Sequence, residues 1–201
     1  MIQMRLTDLS NILNVKEINS GQTFKGISVN SRDTMPSNLF VAIKGARFDG
    51  HDYVKEAADK GAIAAVVDRF NPKLSILQLV VSDTLKALGD LASVWRAKFK
   101  VPVIGITGSV GKTTVKEMIG SILSQLGSCL TSQGNMNNEI GLPISIMSAK
   151  KNSKYMVLEA GASKKGDIEY LSKIVRPDIG IITNIGNSHL EKLINIEGVF
   201  K

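Results

Sequence analysis

The sequence has little cysteine, few aromatic residues and no long apolar run. Cys129 is the single cysteine among 201 residues, so it has no partner for a disulfide within the chain. A reducing cytoplasm is therefore expected, with Cys129 in or near the core. No apolar run reaches the roughly 20 residues that a membrane-spanning helix needs. The first ten residues also lack the basic and apolar regions of a secretory signal. Neither a disulfide scaffold nor membrane insertion is expected.

Acidic residues are outnumbered by basic ones. The chain carries 25 Lys and Arg against 18 Asp and Glu, a formal net charge of +7. This excess suits an anionic ligand. The basic residues are scattered and not interleaved with aromatic residues, so nucleic-acid binding is not expected.

Short apolar runs alternate with helical patterns along the whole chain. The runs predict buried strands at 39–43, 62–67, 75–81, 102–107, 155–160 and 178–185. Helices are predicted at 52–61, from Asp83 to about Lys100, at 113–126 and at 167–175. This alternation predicts an α/β fold with mostly parallel sheets, which places ligands at the carboxyl ends of the strands. A small amino-terminal domain over 1–100 and a second domain over 101–201 are expected.

Helical spacing predicts which side chains face the core. In the helix that follows Asp83, the inward positions are Leu85, Leu88, Leu91, Trp95 and Phe99. In the 113–126 helix, they are Val115, Met118, Ile119, Ile122 and Leu126.

The stretch ITGSVGKTTVKEM, residues 106–118, has the pattern of a phosphate-binding loop between a strand and a helix. Its candidate ATP-binding residues are Gly108, Ser109, Val110, Gly111, Lys112, Thr113 and Thr114. The glycines let backbone amides point at phosphate oxygens, and the helix start adds its positive dipole end. Lys112 can reach the β- and γ-phosphates, and the Thr113 hydroxyl can bind Mg²⁺. Ile106 stands where the longer consensus has glycine, so the match is to the shorter G-x-x-G-K-T-T pattern. An ordinary glycine-rich turn is the alternative.

Further candidates follow other predicted strands. Glu159 closes a buried strand, where its carboxylate either binds Mg²⁺ or forms a cap or salt bridge. His189 follows the strand at 178–185, and a lone histidine is either structural or functional. Asn137 and Asn138 lie in GNMNNEIGLP, residues 134–143, where their amides either line a polar substrate pocket or make turns and cap the next helix.

The amino-terminal half has its own polar cluster around the strand at 39–43. Ser31 and Arg32 precede this strand, and the turn of Asp49, Gly50 and His51 follows it. The arginine fork matches a diphosphate or a carboxylate. A solvated loop of ordinary turn residues is the alternative.

Six stretches together resemble the Mur ligases, the ATP-dependent amide ligases of bacterial cell-wall precursor synthesis. They are SRDTMPSNLFVAIKGARFDGHDY, DTLKALGDLA, ITGSVGKTTVKEM, QGNMNNEIGLP, LEAGASKKGDIEYL and ITNIGNSHLE. The likeness spans the chain, and KEM and GNMNNEIGLP are most similar to members that join D-alanyl-D-alanine to UDP-N-acetylmuramoyl-tripeptide. These two compounds are therefore the implied partners, with ATP and Mg²⁺ as cofactors.

The resemblance also implies residue roles. Lys112, Thr113 and the loop glycines would bind the ATP phosphates, and Thr113, Glu159 and His189 would surround Mg²⁺, with Lys112, Glu159 and His189 acting in catalysis. Ser31, Arg32 and the Asp49–His51 turn would hold the uridine-diphosphate end of the precursor. Asn137 and Asn138 would face the gap between ATP and the acceptor peptide. A cytoplasmic monomer is expected.

The chain departs from the family pattern in three respects. Asn30 stands where relatives carry aspartate, the carbamylated lysine of the family would fall just beyond Lys201, and the family's remaining central and carboxyl-terminal domains do not follow. This length implies a chain that is inactive as a ligase by itself. Two kinds of alternative remain: a related ligase, such as the enzyme that adds the third peptide residue or a folylpolyglutamate-synthase-like protein, and a nucleotide-binding module without chemistry.

Overall fold

The computed structural model describes residues 1–186, so His189 lies outside the described residues. The chain divides into two compact units, Met1–Val94 and a second unit that begins at Trp95. Within residues 1–186, no helix is both long enough and apolar enough to span a membrane. The α/β class with mostly parallel sheets is confirmed.

The first unit is built on a four-stranded parallel sheet, which buries its central strands. Its strands are β3 (Ile27–Ser28), β4 (Leu39–Val41), β5 (Ala64–Val67) and β6 (Leu77–Val80), in the order β3-β4-β5-β6. Before them, β1 (Gln3–Arg5) and β2 (Thr23–Lys25) pair antiparallel, with helix α1 (Asp8–Leu13) between them. Short 3₁₀ turns occupy Ser31–Asp33 and Gly50–Tyr53, and the second leads into helix α2 (Val54–Asp59).

Helix α3 (Thr84–Arg96) begins where the sequence predicts. The Asp83 carboxylate accepts hydrogen bonds from the Leu85 and Lys86 amides at 2.8 and 2.9 Å, which satisfies amides that the helix cannot pair itself. Leu88, Leu91, Trp95 and Phe99 are buried as predicted, and Leu85 is half-buried.

The second unit contains a parallel sheet in the order β10-β7-β9-β8. Its elements are β7 (Val103–Thr107), α4 (Lys112–Ser124), β8 (Cys129–Thr131), α5 (Gly141–Met147), β9 (Tyr155–Glu159), α6 (Asp167–Val175) and β10 (Ile179–Ile182). The buried Arg96 guanidinium donates to the carbonyls of Val175, Arg176 and Phe99 at 2.8–3.0 Å. These bonds tie the end of α3 to the end of α6.

The predicted inward face of α4 is wrong at three positions. Met118, Ile122 and Leu126 are 62–68% exposed, whereas Val115, Ile119 and Leu123 pack against the core of Ile104, Ile106 and Val157, as Cys129 does. Apolar residues recur at helical spacing on two sides of this helix, so periodicity alone cannot select between them. The buried face also contains Lys116, which is fully buried, and a lysine is the residue that a pattern assigns to solvent.

Candidate functional site

The sheet order of the second unit brings three strand ends together. β7 lies between β9 and β10, and all three run parallel. The loop after β7, Glu159 at the end of β9 and the segment after β10 therefore share one edge of the sheet. From β7 the chain crosses to β8 on one side of the sheet, and from β9 it crosses to β10 on the other side. β7 and β9 therefore flank the switch point, where open α/β sheets bind ligands.

The loop after β7 leads into a group of backbone amides at the start of α4. Gly108 and Gly111 have φ angles of 134° and 85°, a backbone region that favours glycine. Within residues 1–186, none of the amides of residues 111–114 donates to an acceptor. The Lys112 ammonium donates to the Gly108 carbonyl at 2.7 Å. The start of α4 therefore offers four donors and one cation to an anion.

The amides of Ser109 and Val110 have partners. Ser109 and Val110 donate to the carbonyl oxygen and the side-chain oxygen of Asn184, each at 3.0 Å. Ser109 and Val110 are among the predicted ATP-binding residues, and their backbone amides are engaged with Asn184. The four amides of residues 111–114, at the cap and first turn of the helix, are therefore the group available to an anion.

Glu159 lies beside this turn and is 2% exposed. Its two carboxylate oxygens accept hydrogen bonds from the Thr113 hydroxyl at 2.9 Å and the Asn137 amide at 2.7 Å. Among residues 1–186, no Lys, Arg or His side chain forms an ion pair with it. A buried carboxylate held by neutral donors alone carries an uncompensated charge.

The two candidate asparagines have different contacts. Asn137 contacts Glu159, as the pocket interpretation requires. The Asn138 side-chain oxygen accepts from the amides of Ile140 and Gly141 at 3.1 and 2.8 Å, so Asn138 caps the start of α5. The capping interpretation therefore describes Asn138, and a substrate-facing role of Asn137 stays a prediction.

Glu159 is supported by a second layer of residues that are not among the predicted candidates. The Ser132 hydroxyl accepts from the Glu159 amide at 3.1 Å, and the buried Lys116 ammonium donates to the Ser132 carbonyl at 2.6 Å. Lys116 also pairs with Glu117 at 3.0 Å. These contacts join α4, the segment after β8 and the end of β9. A lysine one turn beyond a phosphate loop was the available signal, but its burial is a tertiary property.

In the first unit, the Asp49–His51 turn forms an ionic cluster. Asp49 accepts from Arg69 at 2.7 Å, from the His51 amide at 3.0 Å and from His51 Nδ1 at 2.6 Å. The Arg69 guanidinium, followed by the His51 amide, holds the pKa of Asp49 well below its usual range. His51 Nε2 accepts from the Asp68 amide at 3.0 Å. Both ring nitrogens of His51 are therefore engaged within the protein, which gives this side chain a structural role.

The other predicted residues of the first unit are Ser31, Arg32 and Gly50. Ser31 is buried and donates to Glu56 at 3.0 Å, while Arg32 is exposed. A Cβ at Gly50 would lie 2.7 Å from the Ile43 amide nitrogen, so this turn requires glycine. Arg32 is thus the cationic side chain of the predicted set that is presented to solvent. A cavity of about 220 Å³ opens beside His51, with Arg69, Asn71 and Gln78 in its wall.

The fold and the loop define a nucleotide-binding α/β protein of the phosphate-loop type. Residues 23–96 match the family described as "Mur ligase family, catalytic domain", and residues 106–201 match the family described as "Mur ligase middle domain". The chain therefore belongs to the Mur ligase family. It is 38% identical to the UDP-N-acetylmuramoyl-tripeptide–D-alanyl-D-alanine ligase of Haemophilus influenzae, over 99% of this chain and 45% of that protein.

Solved structures agree with this relationship. MurF from Acinetobacter baumannii superposes with a TM-score of 0.94 at 38% identity, covering 100% of this chain and 45% of that one. MurF ligase from Thermotoga maritima, solved in complex with ADP, has a TM-score of 0.81 at 38% identity over 88% of this chain and 41% of that one. The chain therefore spans less than half the length of these relatives.

Proposed function

We propose that the second unit binds the phosphates of ATP at the start of α4. The observation that supports this most directly is the set of amides of residues 111–114, which donate to no acceptor in the described part of the chain and lie beside the Lys112 ammonium. A triphosphate would accept these donors, and the Lys112 ammonium would turn from the Gly108 carbonyl toward the β- and γ-phosphates. The relative solved with ADP has the same fold over most of this chain.

We propose Mg²⁺ as the second cofactor, held by Thr113 and Glu159. The buried Glu159 carboxylate forms no ion pair with the cationic side chains of residues 1–186, and oxygen donors are the ligands that Mg²⁺ prefers. Within residues 1–186, no cluster of three or more His, Cys, Asp or Glu side chains occurs. A single carboxylate and a hydroxyl suit an ion that keeps several waters and binds substrate phosphates. The metal would neutralise charge as a carboxylate approaches the triphosphate. His189 is proposed as a further ligand from the family resemblance.

The proposed reaction is ATP-dependent amide formation between UDP-N-acetylmuramoyl-tripeptide and D-alanyl-D-alanine. The terminal carboxylate of the tripeptide attacks the γ-phosphorus of ATP, and ADP leaves, which gives an acyl phosphate. The amine of D-alanyl-D-alanine then attacks the acyl carbon, loses a proton and expels phosphate. Support comes from relatives of this name at 38–41% identity over most or all of this chain. We propose the cytoplasm as its location and a monomer as its form.

The residues of the chain would divide this work. Lys112 and the helix-start amides would stabilise the charge that moves onto the leaving ADP and the transferred phosphoryl group. Glu159 would fix the metal, and Asn137 would orient Glu159 while facing the acceptor side. In the first unit, Ser31, Arg32 and the Asp49–His51 turn would hold the uridine-diphosphate end, with Arg32 as the direct cation and the others shaping the loop. Asn138 would shape its loop by capping α5.

Lys112→Ala in the full-length protein tests the proposal. Acyl-phosphate formation, measured as ADP release that requires the UDP-linked tripeptide, should fall to background. The unfolding midpoint should stay within about 2 °C, because the half-buried Lys112 side chain bonds the Gly108 carbonyl of its own loop. The matched control is Lys151→Ala, the same change on an exposed turn of the same unit. Turnover by Lys112→Ala at the wild-type rate would refute the assignment of the loop.

The acceptor requirement separates the proposed ligase from the alternatives. A panel of UDP-muramoyl peptides and amino-acid or dipeptide amines should give ligation only with the tripeptide and D-alanyl-D-alanine. Ligation of a single amino acid to the dipeptide precursor would indicate the enzyme that adds the third residue. ATP hydrolysis that ignores both substrates would indicate a nucleotide-responsive module.

A further inference from the structure

Asn184, which follows β10, pairs with the peptide groups on both sides of one loop residue. Its side-chain oxygen accepts from the Val110 amide at 3.0 Å, and its side-chain nitrogen donates to the Val110 carbonyl at 3.0 Å. Only one orientation of the Asn184 amide makes both bonds. A carboxamide is the side-chain group that presents a donor and an acceptor in this way.

The rest of the segment 183–186 reinforces this pairing. The Asn184 carbonyl accepts from the Ser109 amide at 3.0 Å, and the Thr183 hydroxyl donates to the Val110 carbonyl at 2.7 Å. The Ser109 hydroxyl both donates to the Gly186 carbonyl and accepts from its amide, at 3.0 and 2.9 Å. Gly108 lies against Thr183 so closely that a Cβ there would overlap the threonine hydroxyl.

Val110 needs such support because its own side chain supplies none. It is 69% exposed, so side-chain packing contributes little to fixing the peptide groups of this residue. The bonds from Asn184 and Thr183 set the direction of these peptide groups. The Val110 carbonyl shares its peptide group with the Gly111 amide, which is the first of the four amides at residues 111–114. Rotation of the Val110 peptide would move the first of those amides away from a common point.

We propose that Asn184 is a positioning residue for the phosphates of the nucleotide, acting through Val110. It would hold the loop in its binding conformation before the ligand arrives, which lowers the ordering cost of binding. This inference rests on the proposed nucleotide-binding function. Nucleotide binding would therefore depend on a residue that lies 74 positions from Val110 in the sequence.

Two substitutions of Asn184 test its two side-chain hydrogen bonds to Val110. Asn184→Ala removes both side-chain bonds to Val110. Asn184→Asp keeps the acceptor for the Val110 amide but sets a carboxylate against the Val110 carbonyl, and it adds negative charge next to the triphosphate. Loss of two hydrogen bonds of ordinary strength predicts a KM for ATP about tenfold higher for Asn184→Ala, and Asn184→Asp should raise it further.

The test compares two Michaelis constants in the full-length protein. The KM for ATP should rise while the KM for the UDP-linked tripeptide stays within about twofold, because the residues proposed to hold the uridine-diphosphate end belong to the first unit. Thr183→Val, which removes one donor to the same carbonyl and keeps the side-chain volume, should raise the KM for ATP by about threefold. Asn152→Ala, the same change as Asn184→Ala on an exposed turn, is the matched control.

Each outcome decides the inference. An unchanged KM for ATP in Asn184→Ala overturns it, and so does an equal rise of both constants with a lower unfolding midpoint, because that result describes a general structural role. If Asn184→Ala fails to fold, an unchanged KM for ATP in Thr183→Val overturns it instead. A wild-type protein whose activity ignores ATP contradicts the proposed function itself, which is a separate result.

Discussion

Glu159→Gln distinguishes a metal-binding carboxylate from a structural one. The glutamate is 2% exposed and its oxygens accept from the Thr113 hydroxyl and the Asn137 amide. Glutamine has nearly the same volume. Its oxygen can still accept from the Thr113 hydroxyl, and the Asn137 amide can turn to present its oxygen to the new N–H group.

The expected energies follow from these contacts. Burying an ion costs several kcal/mol, and two hydrogen bonds to a charged acceptor return about 1.5–3 kcal/mol each. The metal-free site is therefore close to balance, and the neutral variant should change the free energy of unfolding by no more than about 1 kcal/mol. A ligand at a hundred times its Kd stabilises the folded state by about 2.7 kcal/mol. Glu159→Gln should lose most of this gain for nucleotide with Mg²⁺.

The assay is thermal unfolding of the full-length protein in ADP, with Mg²⁺ or with a chelator. Wild type should gain several degrees from Mg²⁺ in the presence of ADP, and Glu159→Gln should gain almost nothing while its metal-free midpoint matches wild type. Glu169→Gln is the control, since this exposed carboxylate pairs with Lys173 at 2.6 Å on the surface of α6. A metal-free loss of 3–5 kcal/mol, the cost of breaking a buried ion pair, would refute the metal assignment, as would a retained Mg²⁺ response.

Three more predictions concern the first unit. Because the Arg69 guanidinium depresses the pKa of Asp49, this carboxylate stabilises the folded state above its unfolded pKa of about 3.9. Asp49→Asn should thus be less stable than wild type at pH 7, with a difference that narrows as the pH falls below about 4 in equilibrium unfolding. Arg32→Ala should raise the KM for the UDP-linked substrate about tenfold and leave the KM for ATP unchanged. Gly50→Ala should cost about 1–3 kcal/mol in denaturant unfolding, because its Cβ would lie 2.7 Å from the Ile43 nitrogen.

The sequence was informative wherever local chemistry decides the structure. The strands that carry the site were predicted within a few residues, because a short apolar run bounded by turn residues has few other folds. Short, half-exposed strands such as β1, β2 and β8 were missed, since their pairing depends on neighbours distant in the chain. The small helices α1 and α5 were missed for the same reason.

The candidate site also contains residues that local sequence predicts and residues that depend on distant contacts. The phosphate loop was readable because its glycines, lysine and threonines act through their own backbone and adjacent side chains. Glu159 and Asn137 were candidates with open alternatives, and the alternatives separate only when their mutual contact at 2.7 Å is known. His189 stays a prediction, because it lies outside the described residues.

Asn184 and Lys116 show what local patterns cannot convey. An asparagine after a strand is an ordinary turn residue, and a lysine on a helix is an ordinary surface residue, so neither residue type marks a function. Their importance comes from partners 74 and 16 positions away, which the parallel sheet brings to the same edge. A loop motif supplies the donors, but residues recruited by the topology hold those donors in place. Substitutions at these two positions should therefore impair nucleotide binding while the glycines, the lysine and the threonines of residues 108–114 stay intact.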